Sequence, residues 1–263
     1  MTGIKAGHRI QAKFSHLPGM TNYRWCRILA RTVKQDETTA ELYNVDLELD
    51  PAPWTPTIVQ IKTGTANGTL TLDAPPAAGN TLVMWETTRY TDTPTTAAGW
   101  TACGGMVSAD ATPSYNGQFF YKVAAIGESA TQHPNTSSST GGMATIVEVE
   151  GVLTLDTSAG LNHQLGPAFA VSLTPTAGAN VMIFGGYVQH VPDFGGPYSA
   201  APGLGVTELA DTLRPSDYSP LHWMGYRLVP AAAGAYTVGA TAAAGPYSTS
   251  WWGGQVVAFT GVP

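Results

Sequence analysis

The side chains best able to do chemistry in this chain are a scattered set of carboxylates. Glycoside hydrolysis uses two carboxyl groups that flank the scissile bond. The candidates for such a pair are Glu86, Asp92, Asp110, Glu148 and Glu150. Glu148 and Glu150 are two residues apart, a spacing that also suits one exposed face of a β-strand. Glycan hydrolysis is therefore the third of three functional interpretations, and we predict that the chain is not an enzyme.

Other polar residues that could form a reactive site are far apart in the sequence. A metal site would need His190, Asp193, Glu208, Asp211 and His222 to converge. They lack the close ligand spacing of a structural zinc site. A nucleophilic site around Ser216 and Ser219 would lack the Gly-x-Ser-x-Gly elbow of hydrolases. We predict no catalytic residue, no metal and no cofactor.

Aromatic side chains are the stronger candidates for binding. Exposed aromatic residues on loops can stack on sugars, whereas aromatic residues more often anchor protein interfaces. Trp100, Tyr198 and Tyr247 are best placed for stacking, and Phe194 shares with Tyr198 a Gly- and Pro-rich stretch at 192–205. Loops of this length are usually functional or disordered. We predict that these four residues contact a partner, with a host surface glycan as one alternative.

Charge is unevenly distributed along the chain. The net charge is −6, which argues against nucleic acid as a partner because phosphate binding needs clustered Lys and Arg. Basic residues nevertheless crowd the first 34 positions, at Lys5, Arg9, Lys13, Arg24, Arg27, Arg31 and Lys34. Acidic residues follow at 36–50. Either the two segments pair across a hairpin, or the basic one docks the chain on an acidic partner.

The surface chemistry points toward association. Charged residues make up only 11% of the chain. Because soluble exteriors are normally more charged, we predict that other subunits cover much of the surface and that the chain forms a homo-oligomer. The alternative is a monomer with a Ser- and Thr-rich exterior.

Cys26 and Cys103 are most simply buried thiols, although a bridge between them stays open. We see neither a signal peptide nor a membrane span, so we predict synthesis in a cytosol and no membrane insertion.

The elements that must position these residues repeat themselves about a hundred residues apart. The stretch 72–85 matches 173–184, 120–124 matches 225–229, and 146–151 matches 256–261, in the same order. Such self-similarity indicates a duplicated unit. Prolines at 51, 53 and 56 mark a boundary. We predict an all-β chain: an N-terminal β segment at 1–56 that docks the protein, and two tandem antiparallel, jelly-roll-like β-sandwiches at 57–152 and 153–263.

Within each copy, short apolar runs separated by Gly, Pro and Asn predict the strands. In the first copy they cover 58–62, 69–72, 81–88, 118–124 and 145–150. In the second they cover 169–173, 181–189, 222–229, 236–240 and 255–260. Residues 25–33 fit either a strand or a short helix, residues 153–165 read as a linker, and a helix longer than one turn is conceivable only at 206–213.

The repeated motifs resemble a family. Segments 74–84, 98–101, 120–124 and 146–151 are similar to a β-sandwich module of tail, fibre and other virion structural proteins of tailed bacteriophages, particularly those of actinobacterial hosts. The second copy, ending in 251–259, resembles a diverged relative. The resemblance implies an assembly role in a virion, as a minor tail or capsid-decoration subunit among other virion proteins, assembled in the host cytoplasm without a cofactor. A carbohydrate-binding receptor-recognition module is the second interpretation.

Overall fold

The structure is a computed structural model that is all-β. It describes residues 9–13, 23–36, 39–49, 56–65, 68–89, 93–95, 98–109, 115–136, 142–176, 181–190, 199–213, 220–229, 234–242 and 251–262, with the backbone alone before residue 50. The chain divides into two compact units, one ending at Trp54 and the other spanning Thr55–Val262. We describe each unit by itself.

The N-terminal unit is a three-stranded antiparallel sheet with the order β1-β2-β3. Its strands are β1 (Arg9–Lys13), β2 (Tyr23–Asp36) and β3 (Thr39–Leu49). Residues 25–33, which could have been strand or helix, are part of β2. The register places Arg27 opposite Arg9 on one side and opposite Glu48 on the other. One basic and one acidic position therefore face each other across the β2–β3 hairpin, as the pairing interpretation expects.

The first half of the larger unit is a sandwich built on a six-stranded antiparallel sheet. The order of this first large sheet is β4-β13-β6-β10-β8, with β9 also paired to β10. Two small two-stranded sheets, β5 with β11 and β7 with β12, complete it. The strands are β4 (Ile58–Thr65), β5 (Leu70–Thr71), β6 (Thr81–Arg89), β7 (Pro94–Thr95), β8 (Thr101–Ala102), β9 (Val107–Ser108), β10 (Tyr115–Val123), β11 (Thr131–Gln132), β12 (Asn135–Thr136) and β13 (Met143–Val149).

The second half repeats this strand order. Its five-stranded second large sheet has the order β14-β21-β16-β19-β18, and a three-stranded sheet has the order β15-β20-β17. The strands are β14 (Val152–Leu165), β15 (Ala168–Leu173), β16 (Val181–His190), β17 (Ala200–Pro202), β18 (Thr207–Leu213), β19 (Pro220–Val229), β20 (Tyr236–Ala242) and β21 (Trp251–Val262). Each predicted anchor pair lies on strands with the same place in the two orders: β6 with β16, β10 with β19 and β13 with β21.

Two predictions about single segments are wrong. Residues 153–165, predicted to be a linker, form the edge strand β14, which pairs with β21 along most of its length. Residues 206–213, the one stretch where a helix was conceivable, contain β18, which pairs with β19. In both cases the backbone hydrogen bonds of a neighbouring strand outweigh a weak local pattern.

Both large sheets are covered on both faces. Alternate residues of a strand point to opposite sides. In the first sheet, Leu82 and Met84 enter the core beneath the small sheets, while Val83 and Trp85 point the other way, and all are fully buried. The second sheet is buried in the same way, with Ile183 in its own core. This double burial explains the nearly continuous apolar runs of β6 and β16.

The two large sheets pack face to face through aromatic and polar contacts. Tyr121 of β10 meets the ring of Phe259 on β21, with centroids 5.3 Å apart. Gln255 of β21 accepts a hydrogen bond from the backbone N–H of Phe119, 2.8 Å away, and donates to the carbonyl of Cys103. These buried hydrogen bonds fix the position of the second large sheet on the first. The larger unit is therefore two sandwiches joined through their sheets.

Candidate functional site

An open groove lies on the first sandwich, where the small sheets meet the end of β10. Its volume is about 640 Å³. The residues that contribute polar or aromatic groups to its wall are Trp100, Lys122, Glu128, Ser129, Thr131, Gln132 and His133. Lys122 comes from β10, whereas residues 128–133 come from the turn after it and from β11. The groove thus depends on the pairing of β11 with β5.

An ion pair forms the centre of the groove wall. Lys122 Nζ lies 2.8 Å from Glu128 Oε1, and the side chains are only 12% and 18% exposed. The hydrogen bond from Lys122 is the main cause that lowers the pKa of Glu128, so the carboxylate stays ionised. The amide of Gln132 donates to the same oxygen at 3.4 Å. A cation, a carboxylate and an amide therefore meet at one wall.

Trp100, predicted to be a stacking residue, lies at this groove. Its side chain is only 6% exposed and packs in the first core with Leu82 and Phe120. Lys122 Nζ is 4.9 Å from the centre of its ring, a cation–π distance. The faces of the indole are occupied by these contacts rather than presented to solvent. Its contact with a partner stays a prediction.

Sequence reasoning missed the polar residues of the groove wall, among them Lys122, Glu128 and Gln132. A signal for Lys122 was present in the repeat, because the matched segments 120–124 and 225–229 align Lys122 with Arg227. Arg227 also lies over an aromatic ring, that of Tyr236, at 5.6 Å. Nothing in the sequence indicated a role for Glu128 and Gln132, because they follow β10 in a region where no strand was predicted.

Three other predicted contact residues belong to the sequence segments 191–198 and 243–250. Phe194, Tyr198 and Tyr247 lie outside the described residues. These segments are flanked by the strands β16, β17, β20 and β21. The C-terminal end of β16 lies close to the start of β10, which pairs with the end of β6. Tyr115, the first residue of β10, packs with Val188 near the end of β16. Connections of both sandwiches thus depart from this end, which we call the loop end.

An acidic and aromatic cluster occupies the second sandwich. Trp223 Nε1 donates to Glu208 Oε2 at 3.1 Å, and the half-buried Asp211 Oδ2 accepts from the N–H of Ala200 at 2.8 Å. Burial is the main cause that raises the pKa of Asp211 to about 6, the bond from Ala200 opposes it, and Glu208 adds a like charge. Asp211 Oδ1 has no hydrogen-bond partner. Asp211 therefore titrates near neutrality beside a second carboxyl group.

Of the residues considered for a metal site, the described carboxylates Glu208 and Asp211 lie near each other, but His222 does not join them. Asp211 and Trp223 share the face of the second sheet that meets its own core, whereas His222 points to the opposite face. The side chain of His190 and all of Asp193 lie outside the described residues. In the part of the chain that the structure describes, no group of three His, Cys, Asp or Glu side chains could hold a metal.

The carboxylates considered for glycan hydrolysis have separate environments. Glu148 is buried and accepts from the N–H of Ala77 at 2.9 Å, from Asn80 Nδ2 at 2.6 Å and from Gln60. It therefore holds the turn before β6. The expectation of a shared exposed strand face is wrong for Glu148, which is buried within β13, whereas Glu150 follows the strand and is exposed. Asp92 and Asp110 lie outside the described residues.

Glu86 is the least expected of these carboxylates. Its side chain is fully buried, and neither carboxylate oxygen has a hydrogen-bond partner. Burial raises the pKa of Glu86 to about 8, so the group is mostly neutral at pH 7. It lies on β6 near the loop end, opposite Gln118 and Ala144. Nothing in the described part of the chain explains why a carboxyl group occupies this position.

His222 joins the two large sheets. The ring is fully buried, with Nδ1 2.9 Å from the hydroxyl of Thr87 and Nε2 2.8 Å from that of Thr145. Both threonines belong to the first sheet and His222 to the second. Burial lowers the pKa of His222 to about 3, so the ring is neutral in the folded protein. One ring nitrogen donates and the other accepts.

The His222 contact predicts a pH-dependent stability. The folded pKa lies below the ordinary value of 6.5, so the unfolded chain binds a proton first as pH falls. The contribution of neutral His222 is therefore complete above pH 6.5 and is lost between pH 6.5 and about 3, at roughly 1.4 kcal/mol per pH unit. Measured by denaturant unfolding, the free energy of unfolding should be higher for wild type than for His222→Gln above pH 6.5. Below pH 6.5 this difference should shrink by roughly 1.4 kcal/mol per pH unit. A difference that is constant from pH 7 to 4 would contradict the prediction.

The remaining predicted features fall partly within the described residues. Lys5 lies outside them, and for Arg9, Lys13, Arg24, Arg27 and Arg31 only the strand positions are described. Cys103 is a free buried thiol whose pKa is raised by burial, as expected of an unreactive cysteine. The side chain of Cys26 is not described. Among the described residues, no helix has the length and hydropathy needed to cross a bilayer.

No known protein family, no characterised protein and no solved structure matches this chain.

Proposed function

We propose that this protein is a structural subunit of a bacteriophage virion, a minor tail or capsid-decoration component that acts by protein–protein assembly. Support comes from the resemblance of segments 74–84, 98–101, 120–124 and 146–151 to phage sandwich modules and from the low charge of the chain. The basic N-terminal segment would dock on other virion proteins, and the larger unit would contact further copies. Assembly would take place in the host cytoplasm.

The observation that carries the assembly role is the open edge of the second sheet. β14 is terminal in its sheet, and in the described part of the chain its backbone pairs only with β21. It is fourteen residues long, yet Asp156 and His163 are its only ionisable residues. Long uncharged edges invite pairing with another chain. Leu161 and Leu165 on this strand are 38% and 56% exposed.

The equivalent edge in the first sandwich differs. β4 is terminal in its sheet but has eight residues and carries Lys62 near its middle. Lys62 pairs with Asp73 at 2.7 Å, and both side chains are largely exposed. A charged residue on an edge discourages pairing with a further strand. Of the two sandwich edges, β14 is therefore the one suited to association.

The occupant that we propose for this edge is a second copy of the chain. Register shifts on β14 occur between Leu155 and Thr157 and between Leu161 and Gln164, and the residues 157–161 between them stay in regular register. This segment can pair antiparallel with the same segment of another copy about a two-fold axis. The exposed Trp251, opposite Leu165 on β21, adds apolar area beside it.

Charging this edge should separate the copies. We expect wild type to run as a dimer or larger oligomer in light scattering, and Leu161→Lys/Leu165→Lys to run as a monomer, because pairing would bring like charges together. The matched control is Val59→Lys on β4, a residue 52% exposed, which should leave the mass unchanged. A monomeric wild type at high concentration, or a double variant that stays associated, would contradict the role of β14.

The virion assignment has a separate test. Mass spectrometry of purified phage particles should detect peptides of this chain at a copy number comparable with other structural subunits. Particles that lack it would overturn the assignment, whatever the outcome for β14.

A further inference from the structure

We propose that the groove formed by Trp100, Lys122, Glu128 and Gln132 binds a short segment of a neutral glycan. This inference goes beyond the assembly role and does not depend on it. It rests on the size of the groove, the hydrogen-bonding groups along its wall and their balance of charge.

The size suits a small ligand. Ligand sites in proteins usually have volumes of about 300–1,000 Å³, and this groove has a volume of about 640 Å³. It is partly open to solvent, so a ligand can enter from outside. One or two sugar rings would fill it.

The wall offers paired donors and acceptors. Lys122 has three N–H donors, of which one is directed at Glu128 at 2.8 Å, and Glu128 is an acceptor with two oxygens. Neighbouring sugar hydroxyls can accept from an ammonium and donate to a carboxylate at the same time. The hydroxyls of Ser129 and Thr131 lie on the same wall. Vicinal hydroxyl groups fit this alternation of charged donor and acceptor.

The charge balance selects against ionic ligands. Lys122 and Glu128 neutralise each other, and the pKa of Glu128 is lowered mainly by its hydrogen bond with Lys122. An anionic ligand would bring its charge close to the carboxylate of Glu128, and a cationic one would bring its charge close to the ammonium of Lys122. A neutral polyhydroxylated ligand can bridge the pair while leaving it intact. Trp100 lines the groove and holds the ammonium of Lys122 in place through the cation–π contact.

Hydrogen bonds within the wall of the groove make it rigid. Gln132 is 2% exposed, and its amide donates to the carbonyl of Ser129 and to Glu128. Glu128 also accepts from the N–H of Ala125. These bonds tie the turn that carries Glu128 to β11. A preorganised wall lowers the entropic cost of binding.

The test uses the full-length protein on a printed array of neutral and anionic oligosaccharides, followed by NMR titration with the strongest neutral binder. Lys122→Met and Glu128→Gln should each weaken that binding by at least tenfold, because the first removes the charged donor and the second replaces the charged acceptor with a neutral amide. The matched control is Lys62→Met, which breaks an exposed ion pair of similar length outside the groove. This control should bind as wild type does.

Each other outcome overturns the proposal. These outcomes are an array without any binder, selective binding of anionic glycans, and neutral binding that Lys122→Met and Glu128→Gln leave unchanged. Since Lys122→Met also removes the cation above Trp100, far-UV circular dichroism of each variant should first show that the fold of wild type is retained. If Lys122→Met fails to fold, Glu128→Gln decides the question, because the amide keeps the size of the side chain.

Discussion

Replacing Gly186 with alanine should destabilise the larger unit by about 3 kcal/mol, the upper part of the usual range for overpacking a core. A Cβ at Gly186, on β16, would overlap the fully buried indole of Trp85, on β6. The indole is also held against Gly117 of β10, so it has no space to move into. Denaturant unfolding of Gly186→Ala measures the loss. The control Gly105→Ala should change stability by less than about 0.5 kcal/mol, because no atom lies near its Cβ.

A second substitution shows whether the loss comes from this contact. Trp85→Val removes the ring atoms Cδ2, Cε2 and Cε3 that the new methyl group would meet. In the double variant Gly186→Ala/Trp85→Val the two effects should be less than additive, with a coupling of about 1 kcal/mol or more. Additive effects would mean that β6 and β16 do not pack through this ring, and would contradict the face-to-face arrangement of the two sheets.

Replacing Glu86 with glutamine should stabilise the protein, and the gain should grow with pH. Burial raises the pKa of Glu86 from 4.5 to about 8, so the folded protein holds a proton that the unfolded chain releases. The stability of wild type therefore falls as pH rises from 4.5 to 8, whereas Glu86→Gln lacks this titration. The difference should be small at pH 4.5 and reach roughly 4 kcal/mol at pH 8, since one pKa unit corresponds to about 1.4 kcal/mol.

Glu86→Met provides the control for this effect. It also removes the unpartnered polar atoms, so it should stabilise the protein at every pH and by a similar pH-dependent amount. Unfolding midpoints measured from pH 4.5 to 8 give both curves. A Glu86→Gln difference that is constant with pH would show that Glu86 is ionised in the folded protein, through a partner that neutralises the burial.

The all-β fold could be predicted because local sequence patterns indicate its strands and turns. The apolar runs of β6 and β16, and the Gly and Pro turns before them, report burial and chain reversal directly. β14 could not be predicted in the same way. Its pattern is neither alternating nor apolar, because one part faces β9 and another part faces solvent, and its strand state comes from pairing with β21.

The groove and the buried polar groups depend on contacts that are distant in sequence. Trp100 was identified from its type, but its burial follows from the β10 and small-sheet residues packed around it. His222 was considered as a metal ligand. Its partners Thr87 and Thr145 are 135 and 77 residues away, and nothing local to His222 identifies them. Pairings across the two sandwiches arise only once the sheets are packed.

The most direct measurement is a cryo-electron microscopy reconstruction of the phage particle at a resolution that separates β-strands. We expect density for paired sandwiches at the tail or on the capsid, with β14 of one copy beside β14 of another. A particle without this density, or one in which every β14 edge faces solvent, would contradict the assembly role proposed for this chain.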